Sequence, residues 1–376
     1  MAQDTSDPDI FHPMRTRPAL ATSLLSLLIV VTTPSAALAV TQFNEGFDSA
    51  AGLGTPSDWV MAESGGTTCL TAYSDAVTPV ATLGEPLPAC VGAPDPDGDG
   101  ALRLTGADLY VSGSMLYDHA IATADGIGVH FFMAMYGGNE FDGTGADGVS
   151  FYLKDGANTS TALGQFGFGL GYAGLQGALL GVGFDAYGNF SNPDYFEASS
   201  EGCESAGTEL SPQSVVLRSG DASAGQDGTV GYCYLSGVSG IEYAGASRLA
   251  AAKEVLITVD PATDDSPMVR VYLGPVGELP SSPTLVAPAP AEYLAVDSFK
   301  FGFAASTGAG TNLHEIWGLR VGEEAAVREF LVLPSTSQSA DSWSLFGMVL
   351  LVGASAVAGV ELLRRPSSIE DESAFD

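Results

Sequence analysis

The feature that most constrains this chain is a two-residue hydrophobic period repeated in short runs. Val129, Phe131, Met133 and Met135 alternate with their neighbours, as do parts of Val149 to Leu153, Val255 to Val259, Val269 to Leu273 and Phe299 to Phe303. Successive side chains of a strand point to opposite faces, so each run offers one face to a core, and a helix cannot use this period. Clusters of Gly, Asp, Asn and Pro separate the runs and read as turns. Gly is 47 of 376 residues, well above the usual share of about 7%, which suits a loop-rich all-β chain. The pattern predicts a two-sheet antiparallel sandwich from Val40 to about Val321, a plan that single domains of about 200–250 residues can adopt. Stretches 67–100, 202–231 and 274–290 read as surface loops. No internal repeat is evident.

Charge excludes one class of partner. There are 45 acidic residues against 13 Lys and Arg, a formal net charge of -32. Nucleic-acid binding rests on clustered basic side chains, so no nucleic-acid partner is expected. With 45% hydrophobic residues the chain can pack a core, which excludes general disorder. The acidity fits a heavily solvated surface, saline surroundings or divalent cations.

Both ends carry targeting signals. Met14-Arg15-Thr16-Arg17 precedes an apolar run from Leu20 to Val31, and Ala37-Leu38-Ala39 offers a cleavage pattern. Residues 1–39 therefore read as a secretory signal peptide, with an uncleaved membrane helix as the alternative. Trp343 to Leu363 is almost uninterrupted apolar and small residues, followed by Arg364 and Arg365. This reads as a membrane-spanning helix with residues 364–376 held inside, joined to the domain by a stalk over 322–342. Leu333-Pro334-Ser335-Thr336-Ser337 resembles a sortase signal, so the end is either a permanent anchor or a surface-sorting tail. The expected location is outside the cell, at its surface. Four cysteines lie in the exported part, and the short-range pairing Cys69–Cys90 with Cys203–Cys233 is favoured among three connectivities.

The richest stretch for chemistry runs from Leu180 to Asp194. A strand there ends in a loop offering Asp185, Asn189, Asn192 and Asp194, with the Tyr187 carbonyl between them. Calcium takes six to eight oxygen ligands from carboxylates, amide and backbone carbonyls, and water, and this loop supplies most of these types. An ordinary hydrogen-bonded Asx turn would use the same residues.

Two further segments accompany that loop. Gly145-Ala146-Asp147-Gly148-Val149-Ser150-Phe151 lies upstream, and Phe301-Gly302-Phe303-Ala304-Ala305-Ser306-Thr307-Gly308 lies downstream. In this order and spacing the three resemble the legume-type (L-type) lectin family and its bacterial secreted branch, over essentially Phe43 to Val321. The resemblance implies a concanavalin A-like jelly roll that binds sugar at loops beside a structural calcium. It implies a cis Ala146–Asp147 bond, with Asp147 accepting hydrogen bonds from sugar hydroxyls. Gly169 and Gly171 fall in a loop that offers backbone N–H groups to the ligand. Asn189 would place its carbonyl oxygen on calcium and its amide toward sugar. Asp185, the Tyr187 carbonyl, Asn189 and either Asn192 or Asp194 would form the protein share of the calcium shell. Gly308 and Ala309 lie in the wall from Thr307 to Asn312 that sets which sugar fits.

Departures from the family pattern narrow the expectation. Gly183 stands where members with a transition metal carry a glutamate, and no histidine follows Asp194 closely, so a calcium-only site is expected. Phe190 and Tyr172 are candidates for an apolar platform under the sugar ring, with a core role as the alternative for each. The expected function is calcium-dependent, non-catalytic glycan binding for adhesion or glycan capture. A protein-recognising surface protein with a vestigial site, or a glycan hydrolase, are the alternatives. A hydrolase needs two carboxylates facing each other across a cleft, and no ExDxxE strand motif occurs.

Several other motifs have plain structural readings. Asp95-Pro96-Asp97-Gly98-Asp99-Gly100 opens like an EF-hand loop, but Gly106 stands at its twelfth position, so a polar turn is expected. His314 and Glu315 read as a structural hydrogen-bonding pair, Trp59 and Trp317 as core. His119 and His130 show no nearby acidic or cysteine partner pattern and are given no functional role.

Overall fold

A computed structural model of the chain describes residues 43–54, 58–65, 68–73, 87–192, 203, 205, 207–220, 232–323 and 327. Among the described residues, fifteen strands form two sheets in which every ladder is antiparallel. The seven-stranded sheet runs in the order β10 (Tyr234–Ser239), β9 (Ser214–Ser219), β8 (Ala178–Asp185), β7 (Gly148–Asp155), β14 (Ser298–Ser306), β5 (Ser112–Ala122) and β2 (Trp59–Ser64). The eight-stranded sheet runs β13 (Leu285–Pro288), β12 (Met268–Pro275), β11 (Lys253–Val259), β6 (Ile127–Tyr136), β15 (Leu313–Gly322), β4 (Leu102–Thr105) and β3 (Cys69–Leu70), and β1 (Phe43–Glu45) also pairs with β15. Helix is confined to short turns such as Arg248–Ala251 and Ala291–Leu294. The all-β antiparallel sandwich expected from the sequence is the architecture observed.

The two-residue period builds the core as anticipated. Val129, Phe131, Met133 and Met135 of β6, Val149, Phe151 and Leu153 of β7, and Phe299, Phe301 and Phe303 of β14 are buried in one continuous cluster. Each such side chain removed from water contributes about 1.5–3 kcal/mol before entropy is counted. Trp59 belongs to this cluster, edge-on to Phe47 and Phe301. Trp317 does not. It is only half-buried and stacks on Phe132 with ring centroids 5.8 Å apart, because its strand parity sends it to the outer face of the eight-stranded sheet.

The outer face of the seven-stranded sheet carries a second apolar layer of Tyr152, Leu170, Tyr172, Phe190 and Tyr232. Glycines on β8 make room for it. A Cβ at Gly181 would lie 2.4 Å from the Tyr172 ring, and one at Gly183 would lie 2.5 Å from the Phe190 ring.

Disulfides join Cys69 to Cys90 and Cys203 to Cys233, the pairing favoured by spacing. Val327, within the stretch read as a stalk, packs on Leu256 and Tyr272 at the outer face of the eight-stranded sheet. The expected signal peptide, membrane segment and tail (1–39, 343–363 and 364–376) lie outside the described residues. Among the described residues no helix is long and apolar enough to cross a membrane.

One strand neighbour gives stability a pH dependence. His314 on β15 is fully buried, with its Nδ1 2.6 Å from Thr105 Oγ1, and burial pushes its imidazole down from 6.5 to about 3. Above pH 6.5 the ring is neutral whether the chain is folded or not. Between pH 6.5 and 3 the unfolded chain binds the proton and the folded chain does not, so folding loses stability as pH falls through that window. The slope from this group reaches at most about 1.4 kcal/mol per pH unit. Urea denaturation at pH 7 and at pH 4.5 is expected to show a larger loss in the native chain than in His314→Gln; equal losses would remove His314 as the cause.

Candidate functional site

Antiparallel register assembles the site. Ser306 at the end of β14 pairs with Ser112 at the start of β5 and with Gly148 at the start of β7, and Gly148 pairs with Asp185 at the end of β8. The loops beyond these four strand ends therefore share one end of the sandwich. Asp147 lies one residue before that row, and the loop from Ala186 to Asn192 begins one residue after it.

Asp147 is clamped by backbone on both sides. Its N–H donates to Ser306 O at 3.0 Å, and its carbonyl accepts from the N–H groups of Ala186 at 2.9 Å and Tyr187 at 3.2 Å. The Ala146–Asp147 bond is cis, as the family resemblance implied. The carboxylate is 3% exposed, and Asn189 Nδ2 donates to its Oδ1 over 3.5 Å. Asp147 Oδ2 and Asn189 Oδ1 are buried with no hydrogen-bond partner among the described residues. Burial pushes the Asp147 carboxyl up to about 7, against the Asn189 hydrogen bond, which holds it down.

Behind this pair lies Asp185, fully buried. Its Oδ1 accepts from Gly188 N and its Oδ2 from Phe190 N, each at 2.7 Å, so the carboxylate organises the loop as an Asx-type turn. Gly188 takes φ +101°, and a Cβ there would lie 2.2 Å from Pro212 N, so only glycine closes this turn. Burial lifts the Asp185 carboxyl to about 7, the backbone N–H groups oppose the rise, and the Asp147 charge adds to it. Arg218, also fully buried, donates from Nε to Phe190 O at 2.7 Å and from Nη1 to Tyr232 O at 2.9 Å, tying the loop to β9.

Two buried carboxylates and an orphaned amide oxygen in one small region are the donor chemistry of a hard cation, whose charge would offset both desolvated anions. Asn192 closes the turn by donating its N–H to Asn189 O at 3.2 Å, while Asp194 lies outside the described residues. Among the described residues no three His, Cys, Asp or Glu side chains gather to hold a metal. The expected calcium set draws instead on an amide and a backbone carbonyl. The position of the family's transition-metal glutamate, Gly183, faces the Phe190 ring.

Above Asp147 and Asn189 opens a cleft of about 450 Å³, also lined by Gly308 and Ala309. A Cβ at Gly308 would lie 2.9 Å from Asp147 Oδ2, so a side chain there would press on the carboxylate. Among the described residues Asp147 is the sole carboxylate lining the cleft.

Two sequence expectations are corrected here. Phe190 is fully buried in the second apolar layer and cannot serve as a platform, while Tyr172, buried beside it, takes the core role that was its alternative. The N–H groups of Gly169 and Gly171 are spent on Phe166 O and Gln165 O, so neither is offered to a ligand; Gly167 and Phe168 line the cleft instead. The aromatic surface comes from Tyr110, Phe141, Phe166, Phe168 and Tyr187. Tyr187 sits inside the metal-loop motif, and Phe166 flanks the glycine-rich run, so both had a local signal. Tyr110 and Phe141 had none and arrive through strand pairing.

The remaining motifs are structural. Asp95 pairs with Arg248 at 2.8 Å, Asp97 Oδ1 accepts from Ala50 N at 2.7 Å, and Asp99 O accepts from Arg248 Nη1 at 2.8 Å, which makes the EF-hand-like stretch a tied-down turn. His119 and His130 do have acidic partners, Asp58 at 2.9 Å and Glu254 at 2.8 Å, both brought from neighbouring segments rather than from the local sequence.

No family model and no curated protein matches the sequence. Solved structures similar to the chain include peanut lectin with a nine-residue peptide, at 18% identity and a TM-score of 0.45, covering 75% of this chain and 96% of that one. Lectin II from Ulex europaeus is similar at 16% identity and a TM-score of 0.44, over 75% and 97%. The exoplasmic/lumenal domain of VIP36, in its Ca2+/Man2-bound form, is similar at 12% identity and a TM-score of 0.43, over 71% and 81%.

Proposed function

We propose that the chain is a calcium-dependent, non-catalytic glycan-binding protein displayed outside the cell. The observation that carries this reading is the pairing of Asp147 and Asn189 in the lining of an aromatic-walled cleft, with the Asn189 amide oxygen buried and orphaned among the described residues. Asp185, the Tyr187 carbonyl, Asn189 Oδ1 and either Asn192 or Asp194 would hold the ion. Calcium there would neutralise the buried carboxylates and fix the loop, leaving the Asp147 carboxylate to accept hydrogen bonds from sugar hydroxyls and the Asn189 amide to donate one. Tyr187 and Phe141, with ring centroids 6.1 Å apart at the cleft wall, offer apolar faces to sugar C–H groups.

Hydrolysis is disfavoured by the same geometry. Glycosidases set two carboxyl groups across the scissile bond, whereas here the second carboxylate, Asp185, is fully buried and its oxygens are held by backbone N–H groups. A shallow site that desolvates few atoms binds a sugar weakly, on the order of millimolar, so display of many copies on a surface would supply the avidity. The secretory signal and C-terminal apolar segment support that display.

The test is a glycan array probed with the full exported chain in calcium and again in chelator, alongside a reducing-end assay on the same glycans. Signal in calcium that disappears in chelator is expected, with no reducing ends released. Absence of signal in calcium would favour a protein-recognising surface molecule, and released reducing ends would establish an enzyme.

A further inference from the structure

Among the described residues a second cavity, of about 250 Å³, opens near the cleft and shares no lining residue with it. Its lining includes Tyr136, Glu140, Gly145, Gln213, Tyr243 and Asn312. The stretch from Thr307 to Asn312, expected as one wall of the sugar site, therefore divides. Gly308, Ala309 and Gly310 line the cleft, whereas Asn312 lines this cavity.

The fold builds the cavity and then leaves two polar groups in it unused. Thr311 N–H donates to Asn139 O and Asn139 N–H donates to Thr311 Oγ1, each at 2.9 Å, which fastens the loop after β6 to the chain entering β15. Gln213 Nε2 donates to Ala186 O at 3.1 Å, and its Oε1 accepts from Tyr243 N–H at 2.8 Å. The Tyr136 hydroxyl donates to Glu315 and the Tyr243 hydroxyl to Ser214 O, so these side chains are engaged within the protein. Asn312 is not. It is 9% exposed, and its amide makes no hydrogen bond among the described residues. A Cβ at Gly145 would lie 2.5 Å from both polar atoms of that amide, so the amide rests over Gly145, which also lines the cavity. The Glu140 carboxylate is exposed and has no ion pair or hydrogen bond among the described residues.

Charge selects the ligand class. Glu140 is the sole charged side chain lining the cavity among the described residues, and the exposed Asp142 and Glu242 flank lining residues in the chain. With no basic side chain in the lining to answer them, these carboxylates attract a cation and repel an anion. A nearly buried amide without a partner is costly, and an N–H from a ligand would satisfy its oxygen. A bare metal ion needs several more oxygen ligands than one carboxylate and one amide supply. The Tyr136 and Tyr243 rings line the same space and suit an alkyl stem or the cation itself.

We infer that this cavity is a binding site for a small organic ammonium, with Glu140 offsetting its charge and Asn312 Oδ1 accepting one of its N–H groups. The cavity is smaller than the roughly 300–1,000 Å³ of sites that enclose drug-sized ligands, so the ligand is a short-chain amine. The site does not depend on the glycan-binding reading. The same two loops nevertheless form walls of both spaces, since Gly145 and Ala186 line this cavity while their chain neighbours Ala146 and Tyr187 line the cleft.

The probe is n-butylammonium chloride, titrated into the nitrogen-15-labelled full exported chain in saturating calcium at constant ionic strength, with n-butanol as the uncharged control. The amide signals of Gly137, Gly138, Gly145 and Gly245, all in the lining, are expected to shift saturably with a dissociation constant on the order of millimolar. The same concentrations of n-butanol should leave them nearly unmoved. Glu140→Gln and Asn312→Ala are each expected to weaken binding at least about fivefold, and Asp142→Asn by less than about twofold. Melting of both weakened variants should match the native chain, because neither side chain is bonded within the fold. Shifts that fail to saturate, that n-butanol reproduces, or that survive both Glu140→Gln and Asn312→Ala overturn the site. An equal loss in Asp142→Asn and Glu140→Gln would assign the ammonium to the acidic surface at large and overturn it as well.

Discussion

Replacing Asn189 with alanine is expected to weaken glycan binding at least about 100-fold and to weaken calcium binding with it, while the sandwich stays folded. Asn189 is 6% exposed, and its two polar atoms face different tasks: Nδ2 reaches Asp147 and Oδ1 lies buried without a partner. On the proposed reading, alanine would remove a cation ligand and a sugar hydrogen-bond donor in one step. Hydrogen bonds that involve charged groups contribute about 1.5–3 kcal/mol each, and about 2.7 kcal/mol already corresponds to 100-fold. Asp147→Ala should match the loss of glycan affinity yet retain more of the calcium affinity, since the expected shell does not include Asp147. Both residues lie in loops beyond the strand ends, so melting in saturating calcium should stay close to that of the native chain. Calorimetry of calcium and then glycan on each variant separates the two effects; unchanged glycan affinity in both would place the site elsewhere.

The second large effect concerns the fold. Glu315→Ala is expected to destabilise the protein by about 3–5 kcal/mol, the cost of breaking a buried ion pair from one side. Glu315 on β15 is fully buried and accepts from Arg103 at 2.8 Å, Arg248 at 2.6 Å and the Tyr136 hydroxyl at 2.8 Å. Arg248 in turn holds Asp95 and the Asp99 carbonyl, so one carboxylate ties β4, β6, the helical turn at Arg248 and the 95–99 turn together. Burial and then the Glu315 charge push the Tyr136 phenol up to about 12. Removing the carboxylate leaves two guanidinium groups without their shared anion in surroundings that exclude most water. The denaturation midpoint in urea measures the effect. A change below about 1 kcal/mol, the range of exposed surface pairs, would mean that water replaces the carboxylate.

What could be read from the sequence follows from the range over which each interaction acts. Strand parity is local, so the period at Val129 to Met135 was sufficient to predict the inner face of β6. The Asp147, Asp185 and Asn189 constellation was legible because each member sits at a strand end inside a short motif. Phe190 was misread for a physical reason: adjacency to Asn189 implied a shared environment, but the turn at Asp185 sends the ring back against Gly183 on the outer face of the sheet. The signal was present in Gly181 and Gly183, whose missing side chains announce that bulky rings pack against them. Tyr110 and Phe141 could not be found locally, since only the register of β5 with β14 and the return of the loop before β7 bring them to the cleft. The carboxylate partners of His119 and His130 were hidden in the same way, each lying on another segment of the fold.

The most direct measurement is a calorimetric titration of the metal-stripped chain with calcium, followed by the best glycan from the array, and the same glycan in chelator. A saturable calcium heat that is lost in Asp185→Asn, with glycan heat appearing only after calcium has bound, is the predicted result. Glycan heat of undiminished size in chelator, or calcium binding untouched by Asp185→Asn, would contradict it.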